Sequence, residues 1–190
     1  MNKICIFCGA CDGKQPVYRE QAEQLGTLLG QQGKTVLYGG ASVGLMGAVA
    51  DSTLAAGGKV IGVLPDFLTA YEIEHPHVDH IMVPDLYQRK KIMLDDADGF
   101  IVLPGGLGTL DELFEIWSAS QLQQYHKPIG ILNTQGFYDD LLKAVLNMAN
   151  QGFINQSILN YATVANTPDA LLTAMSNSKP LPSLREKFDQ

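Results

Sequence analysis

Residues 99–112 constrain the fold of this chain more than any other stretch. The apolar run Gly99-Phe-Ile-Val-Leu103 has the length and character of a strand buried on both faces of a parallel sheet. It passes through Pro104-Gly-Gly-Leu-Gly108 into a segment where Leu110, Leu113, Phe114 and Trp117 recur at helical spacing, predicting a helix over 109–124. A strand that turns through glycines into a helix presents bare N–H groups and a positive dipole end, where a phosphate binds. Two carboxylates, Asp111 and Glu112, are expected in the first turn of that helix. An anion site beside an acid suggests chemistry on a phosphorylated substrate.

The same alternation runs through the chain. Apolar strand-like runs near 3–8, 34–38, 59–64, 80–83, 99–103, 128–132 and 161–165 are separated by helical patterns near 16–31, 44–56, 85–97, 109–124, 137–150 and 168–175. This pattern predicts an α/β, Rossmann-like, doubly wound and mostly parallel sheet of about seven strands, with helices on both faces. Residues 1–176 read as one nucleotide-binding domain, residues 65–80 as a loop over the sheet, and 177–190 as a flexible polar tail. Gly33, Gly57-Gly58 and Gly152 stand where helices are expected to stop. In such sheets ligands bind at the carboxyl ends of strands, near a switch in strand order. Three turns occupy such ends: Gly9 to Gly13, Gly39 to Gly47, and Gly105 to Thr109. Their convergence is the expected site.

Bulk properties narrow the classes. A chain of 190 residues with 46% hydrophobic and 17% charged residues has enough apolar material for a substantial core. A formal net charge of −7 argues against non-specific nucleic-acid or membrane-surface binding, so a phosphate must be held by local N–H groups and a few placed cations. With no apolar run long enough to span a bilayer and no signal-peptide layout at Met1-Asn-Lys-Ile-Cys-Ile-Phe-Cys8, a cytoplasmic location is expected.

Cys5, Cys8 and Cys11 are spaced like an iron–sulfur run, but a fourth cysteine is missing. The odd separation of Cys5 and Cys8 in a strand also points them to opposite faces. They read as core thiols. His75, His77 and His80 lie in the expected loop without an evident carboxylate partner. No metal and no cofactor are expected.

Two motifs admit bland readings. In Gly39-Gly-Ala-Ser-Val-Gly-Leu-Met-Gly47 the spacing is not G-x-G-x-x-G, which disfavours a nicotinamide dinucleotide site. It is either a phosphate cradle using Gly40, Ser42, Gly44 and neighbouring N–H groups, or a set of ordinary tight turns. Thr109-Leu-Asp-Glu112 fits a T-x-x-E capping box, so Glu112 is either an acid for chemistry or a helix cap. Arg89 falls on the inward stripe of its helix, between Leu86 and Met93, where a guanidinium fork grips phosphate or carboxylate. Lys90 and Lys91 are more easily read as surface charge.

Pro104 to Glu112, as PGGxGTxxE, resembles the signature of the Lonely Guy (LOG) phosphoribohydrolases, proteins that often carry the label lysine decarboxylase. The resemblance covers nearly the whole chain. It takes in Cys5-Ile-Phe-Cys-Gly9, Tyr38 to Gly47, Val60 to Pro65, Arg89-Lys90 with Met93, Gln121-Leu122, His126-Lys-Pro128, Leu132-Asn133, Gly136-Phe-Tyr-Asp139 and Gly152-Phe-Ile154. It implies an N-glycosidase that hydrolyses adenine-type nucleoside 5′-monophosphates, AMP or cytokinin ribotides, to free base and ribose 5-phosphate.

By that resemblance Glu112 and Arg89 are catalytic. Substrate would be bound by Gly40, Ser42, Gly44, Glu72, Lys90, Gly105, Gly106, Gly108 and Thr109. The chain departs from the family pattern at Leu86-Tyr87, at Ala119-Ser120 before Gln121-Leu122, at Cys8-Gly-Ala-Cys11 and at Leu107. A homodimer is expected, by resemblance and because Trp117, Ile92 and Met93 lie beyond one clear core stripe. The alternative is a non-catalytic carrier of a nucleotide or phosphorylated cofactor. A pyridoxal-dependent decarboxylase is disfavoured, because no placed lysine with a separate pyridine-nitrogen acid is evident.

Overall fold

The computed structural model describes residues 1–70, 74–122 and 124–177. The strands are β1 (Lys3–Phe7), β2 (Thr35–Tyr38), β3 (Lys59–Pro65), β4 (Asp79–Val83), β5 (Gly99–Val102), β6 (Ile129–Leu132) and β7 (Ala162–Ala165). They form one sheet of 7 strands in the order β4-β3-β2-β1-β5-β6-β7. Every neighbouring pair is parallel. The helices are α1 (Pro16–Gln31), α2 (Gly44–Ala55), α3 (Leu86–Asp96), α4 (Leu107–Gln121), α5 (Asp139–Asn150) and α6 (Pro168–Ser176). The expected doubly wound α/β fold is therefore present.

Strand periodicity divides the core in two. Along β1 and its exit, Ile4, Ile6 and Cys8 face one side, with Leu25, Leu29 and Ala22 of α1, Val49 of α2, and Leu171 and Met175 of α6. Cys5 and Phe7 face the other, with Met93 and Leu94 of α3, Leu113, Ile116 and Trp117 of α4, and Val145 of α5. Cys5 and Cys8 thus serve opposite layers, as a side-chain period of two requires. Burial in apolar surroundings pushes both thiols up, with the charge of Glu112 adding to the effect. Gly33, Gly57 and Gly152 take positive φ values of 64°, 84° and 79° just beyond α1, α2 and α5, which is how these helices stop.

Outside residues 71–73, the connection over 65–80 carries local structure that the loop reading did not anticipate. Asp66–Ala70 forms a 3-10 turn, and His75 is buried, with Nε2 3.0 Å from Asp51 Oδ1 on α2. Asp51 is the carboxylate partner that the sequence did not reveal, because it lies on a different element. His75 donates its backbone N–H to Gly40 O (3.0 Å), and His80 Nε2 contacts His75 O at 2.8 Å. The histidines therefore brace the turn after β2, and among the described residues no group of three His, Cys, Asp or Glu gathers as a metal site. Among the described residues no helix is long and apolar enough to cross a membrane. The tail from 178 onward and Glu72 lie outside the described residues.

Candidate active site

Strand order reverses between β1 and β5, and the crevice above their carboxyl ends is the natural ligand site of such a sheet. The turns there are tied together by backbone bonds. Gly9 N–H donates to Pro104 O (3.0 Å), and Leu45 N–H donates to Gly9 O (3.1 Å). The Tyr138 hydroxyl, buried, donates to Leu103 O at 2.6 Å and fixes the exit of β5. A cavity of about 500 Å³ opens at this junction. Its walls come from Cys8 to Gly13 after β1, Gly39 after β2 with Leu45 and Met46 of α2, Arg89 of α3, and Pro104 to Glu112 around the start of α4. The three turns expected to converge do so.

Arg89 and Glu112 meet inside it. The Arg89 Nη2 to Glu112 Oε1 distance is 3.9 Å, with side chains 11% and 14% exposed. Asp85 caps α3 by accepting from Gln88 N–H at 2.7 Å, which starts the helix so that Arg89 falls one turn before buried Met93 and points inward. Arg89 Nε is buried without a hydrogen-bond partner among the described residues. A buried donor without a partner costs stability unless a ligand supplies the acceptor. Burial pushes the Glu112 carboxyl up to about 7; Arg89 and Lys90 pull against the rise, and the nearby charges of Asp111 and Glu115 add to it.

The beginning of α4 differs from the local reading. Gly106, in extended conformation, is the N-cap, so α4 begins at Leu107 and Thr109 lies inside its first turn. Asp111 and Glu112 therefore fall in the second turn, and Glu112 does not close a capping box. No side chain caps the start of α4, so its leading N–H groups face the cavity without a protein acceptor from a capping side chain. Gly105 is needed for packing, since a Cβ there would stand 2.1 Å from Thr109 Oγ1. At Gly106 and Gly108 a Cβ would meet nothing within 4 Å, and neither has positive φ. The fold itself does not demand glycine at those two positions; an anion approaching the amides closely would.

The remaining expected residues fall in different places. Gly105, Gly106, Gly108 and Thr109 line the cavity, whereas Gly40, Ser42, Gly44 and Lys90 are absent from its walls. Gly40 and Gly44 have φ values of 91° and 58°, and Gly44 packs against Ala10 and Cys11, which is the tight-turn reading of that motif. Lys90 Nζ instead contacts Asp111 Oδ2 (2.9 Å) and Glu115 Oε2 (3.0 Å). Among the lining residues that the sequence did not single out as site residues are Gly39, Tyr18 and Phe137. Gly39 lies directly against Arg89, while Tyr18 and Phe137 form an aromatic rim with ring centroids 5.7 Å apart. Phe137 was signalled only by its place in Gly136-Phe-Tyr-Asp139, and nothing local distinguished Gly39 from Gly40.

Comparison with known proteins identifies the family. A family model described as "Possible lysine decarboxylase" matches residues 46–175. The chain is 43% identical over 155 residues to the cytokinin riboside 5′-monophosphate phosphoribohydrolase LOG7 of Arabidopsis thaliana, covering 81% of this chain and 71% of that protein. It is 38% identical over 182 residues to the probable cytokinin riboside 5′-monophosphate phosphoribohydrolase LOGL5 of Oryza sativa subsp. japonica, covering 95% and 74%. Among solved structures, a molybdenum cofactor binding protein from Rippkaea orientalis superposes with a TM-score of 0.70 at 26% identity, covering 92% of this chain and 95% of that one. Despite the family model's description, no lysine lines the cavity among the described residues, so its walls do not fit pyridoxal phosphate. On its sequence and its fold, the chain belongs to the LOG family of phosphoribohydrolases.

Proposed function

We propose that the protein is a phosphoribohydrolase that cleaves the N-glycosyl bond of adenine-type nucleoside 5′-monophosphates, with AMP and N6-modified ribotides as the substrate class. The observation that carries this reading is the buried Glu112 carboxylate beside Arg89, in one cavity with the uncapped start of α4. The 5′-phosphate sits on the amides of Gly106 to Thr109, where it meets N–H donors and the helix dipole. Arg89 gives its unpartnered Nε–H to phosphate or ribose oxygen. As the bond from C1′ to the base breaks, positive charge builds on the ribose, and ionised Glu112 stabilises it from a site with little water. The same carboxylate orients the attacking water and accepts its proton, a role suited to a group that titrates near neutrality. The proton taken by Glu112 then passes, through solvent, to the departing ring nitrogen, so that neutral base and ribose 5-phosphate leave and the carboxylate is regenerated. No step needs a metal or redox group.

A carrier is the second reading, favoured by the likeness to the molybdenum cofactor binding protein at 26% identity. It requires tight binding without turnover. Incubation with AMP and with isopentenyladenosine monophosphate, followed by chromatography for free base and ribose 5-phosphate, separates the two. Binding without any release of base would sink the enzyme reading.

Self-association through α3 and α4 belongs to the same proposal. Trp117 and Met93, which suggested it, are in the core; the Trp117 indole N–H donates to Ile158 O at 3.1 Å. Exposed apolar side chains remain on those helices and at their ends, at Tyr87 (70%), Leu122 (58%), Leu86 (46%) and Phe114 (40%). Covering them with a second copy would remove that surface from water.

A further inference from the structure

Lys90 follows the cavity arginine in sequence, yet its ammonium does not reach the cavity. It bridges two carboxylates of α4, Asp111 Oδ2 at 2.9 Å and Glu115 Oε2 at 3.0 Å, and its side chain is 25% exposed. Asp111 and Glu115 flank Glu112 in sequence, one residue before it and three after it. Three carboxylates on one and a half turns of helix repel one another, and one lysine from α3 pairs with two of them and offsets part of their charge.

We propose that Lys90 is a positioning residue that acts on Glu112 through Asp111 and Glu115, rather than a contact for substrate. The inference rests on Glu112 being the catalytic carboxylate. The groups facing Glu112 are Arg89 and Lys90 from α3, Asp111 and Glu115 from its own helix, and the buried thiols Cys5 within β1 and Cys8 just beyond it. Cys5 and Cys8 stay neutral thiols, since burial raises both. Arg89 supplies a constant positive charge inside the cavity. The balance left to adjust is the outer triad, where the hydrogen bond that Lys90 donates to Asp111 and the pairing with Glu115 hold Lys90 firmly protonated. With the ammonium in place, the opposition of the flanking carboxylates to a negative charge on Glu112 is partly offset. Without it, their field drives Glu112 toward its protonated form at neutral pH, when it can neither stabilise a cation nor accept a proton.

The test is a pH–rate profile of kcat with AMP for wild type, Lys90→Gln, Lys90→Arg, Asp111→Asn and Lys90→Gln/Asp111→Asn. Alongside it, the Glu112 carboxyl is titrated by carbon-13 NMR in the free protein. Lys90→Gln is expected to move the acid limb up by roughly half a pH unit or more, with the alkaline plateau of kcat largely kept. Lys90→Arg should restore the limb and Asp111→Asn should move it down. The double variant should lie near wild type, because the two charges are coupled. Moderate salt should shrink the Lys90→Gln shift, since the triad is partly exposed. A Lys90→Gln protein whose KM rises equally at every pH, with acid limb and Glu112 resonance unmoved, overturns the proposal and makes Lys90 a substrate contact. If the Glu112 resonance moves while the rate profile does not, the action of Lys90 on Glu112 stands and the catalytic role of Glu112 fails.

Discussion

The Arg89 guanidinium occupies the space that a side chain at Gly39 would need. A Cβ built on Gly39 would stand 2.3 Å from Arg89 Nη2 and 2.9 Å from Met46 Sδ. Gly39 has no positive φ, so its requirement comes from this close approach alone. The turn after β2 therefore serves the site by yielding room to a cation carried on α3.

Gly39→Ala should for that reason behave as a mild Arg89 variant. It is expected to keep the fold and lose roughly 10-fold or more in turnover, while Arg89→Ala loses both ligand affinity and turnover. Melting curves, AMP titrations and base-release assays on both proteins provide the check. A Gly39→Ala enzyme with wild-type turnover would show that Arg89 tolerates displacement.

Glu112→Gln removes charge while keeping size and, because Glu112 is not a cap, leaves the start of α4 untouched. Turnover should fall by roughly 100-fold or more, the usual loss of one electrostatic stabiliser, with AMP affinity changed far less. Near wild-type release of base by a stable Glu112→Gln protein would falsify the catalytic assignment.

The same substitution has a signature in stability. Glu112 in the folded protein titrates at about 7, against an ordinary value of 4.5. Between those values the folded state holds a proton that the unfolded chain has released, so this group makes stability fall as pH rises through the window. Above about pH 7 the cost of the buried charge is complete, on the order of 3 kcal/mol. Glu112→Gln should consequently melt several degrees above wild type at about pH 8 and converge with it below about pH 4.5. Equal melting temperatures at both extremes would show that Glu112 is not strained by burial.

Gly108→Ala separates binding from folding at the start of α4. With open space at its Cβ, alanine should stabilise the helix by about 0.5–1 kcal/mol through propensity. It should also weaken AMP binding, by standing between the phosphate and the amides. Thermal melts and a phosphate competition titration measure both; stabilisation with unchanged affinity would move the phosphate site elsewhere.

Self-association is checked by light scattering at micromolar concentration. A dimer mass is expected for the wild type, and Tyr87→Glu with Leu122→Glu should shift it to monomer without lowering the melting temperature. A wild-type monomer would refute the interface on α3 and α4.

Local chemistry in the sequence was sufficient to specify the strands, the helices and the parallel α/β fold, because burial on two faces and helical amphipathicity both leave periodic marks on neighbouring residues. It also marked Glu112, Arg89 and the glycine turn that leads into α4, since a strand–glycine–helix pattern is itself local. Three matters were decided only by tertiary structure. The start of α4 moved to Leu107, because the extended Gly106 ends the turn sooner than Thr109 could. Lys90 was turned from the cavity to Asp111 and Glu115, and His75 was paired with Asp51. The two pairings depend on which elements the sheet order brings side by side. Residues separated by tens of positions leave no periodic trace of one another, so their pairing is fixed only when the chain packs.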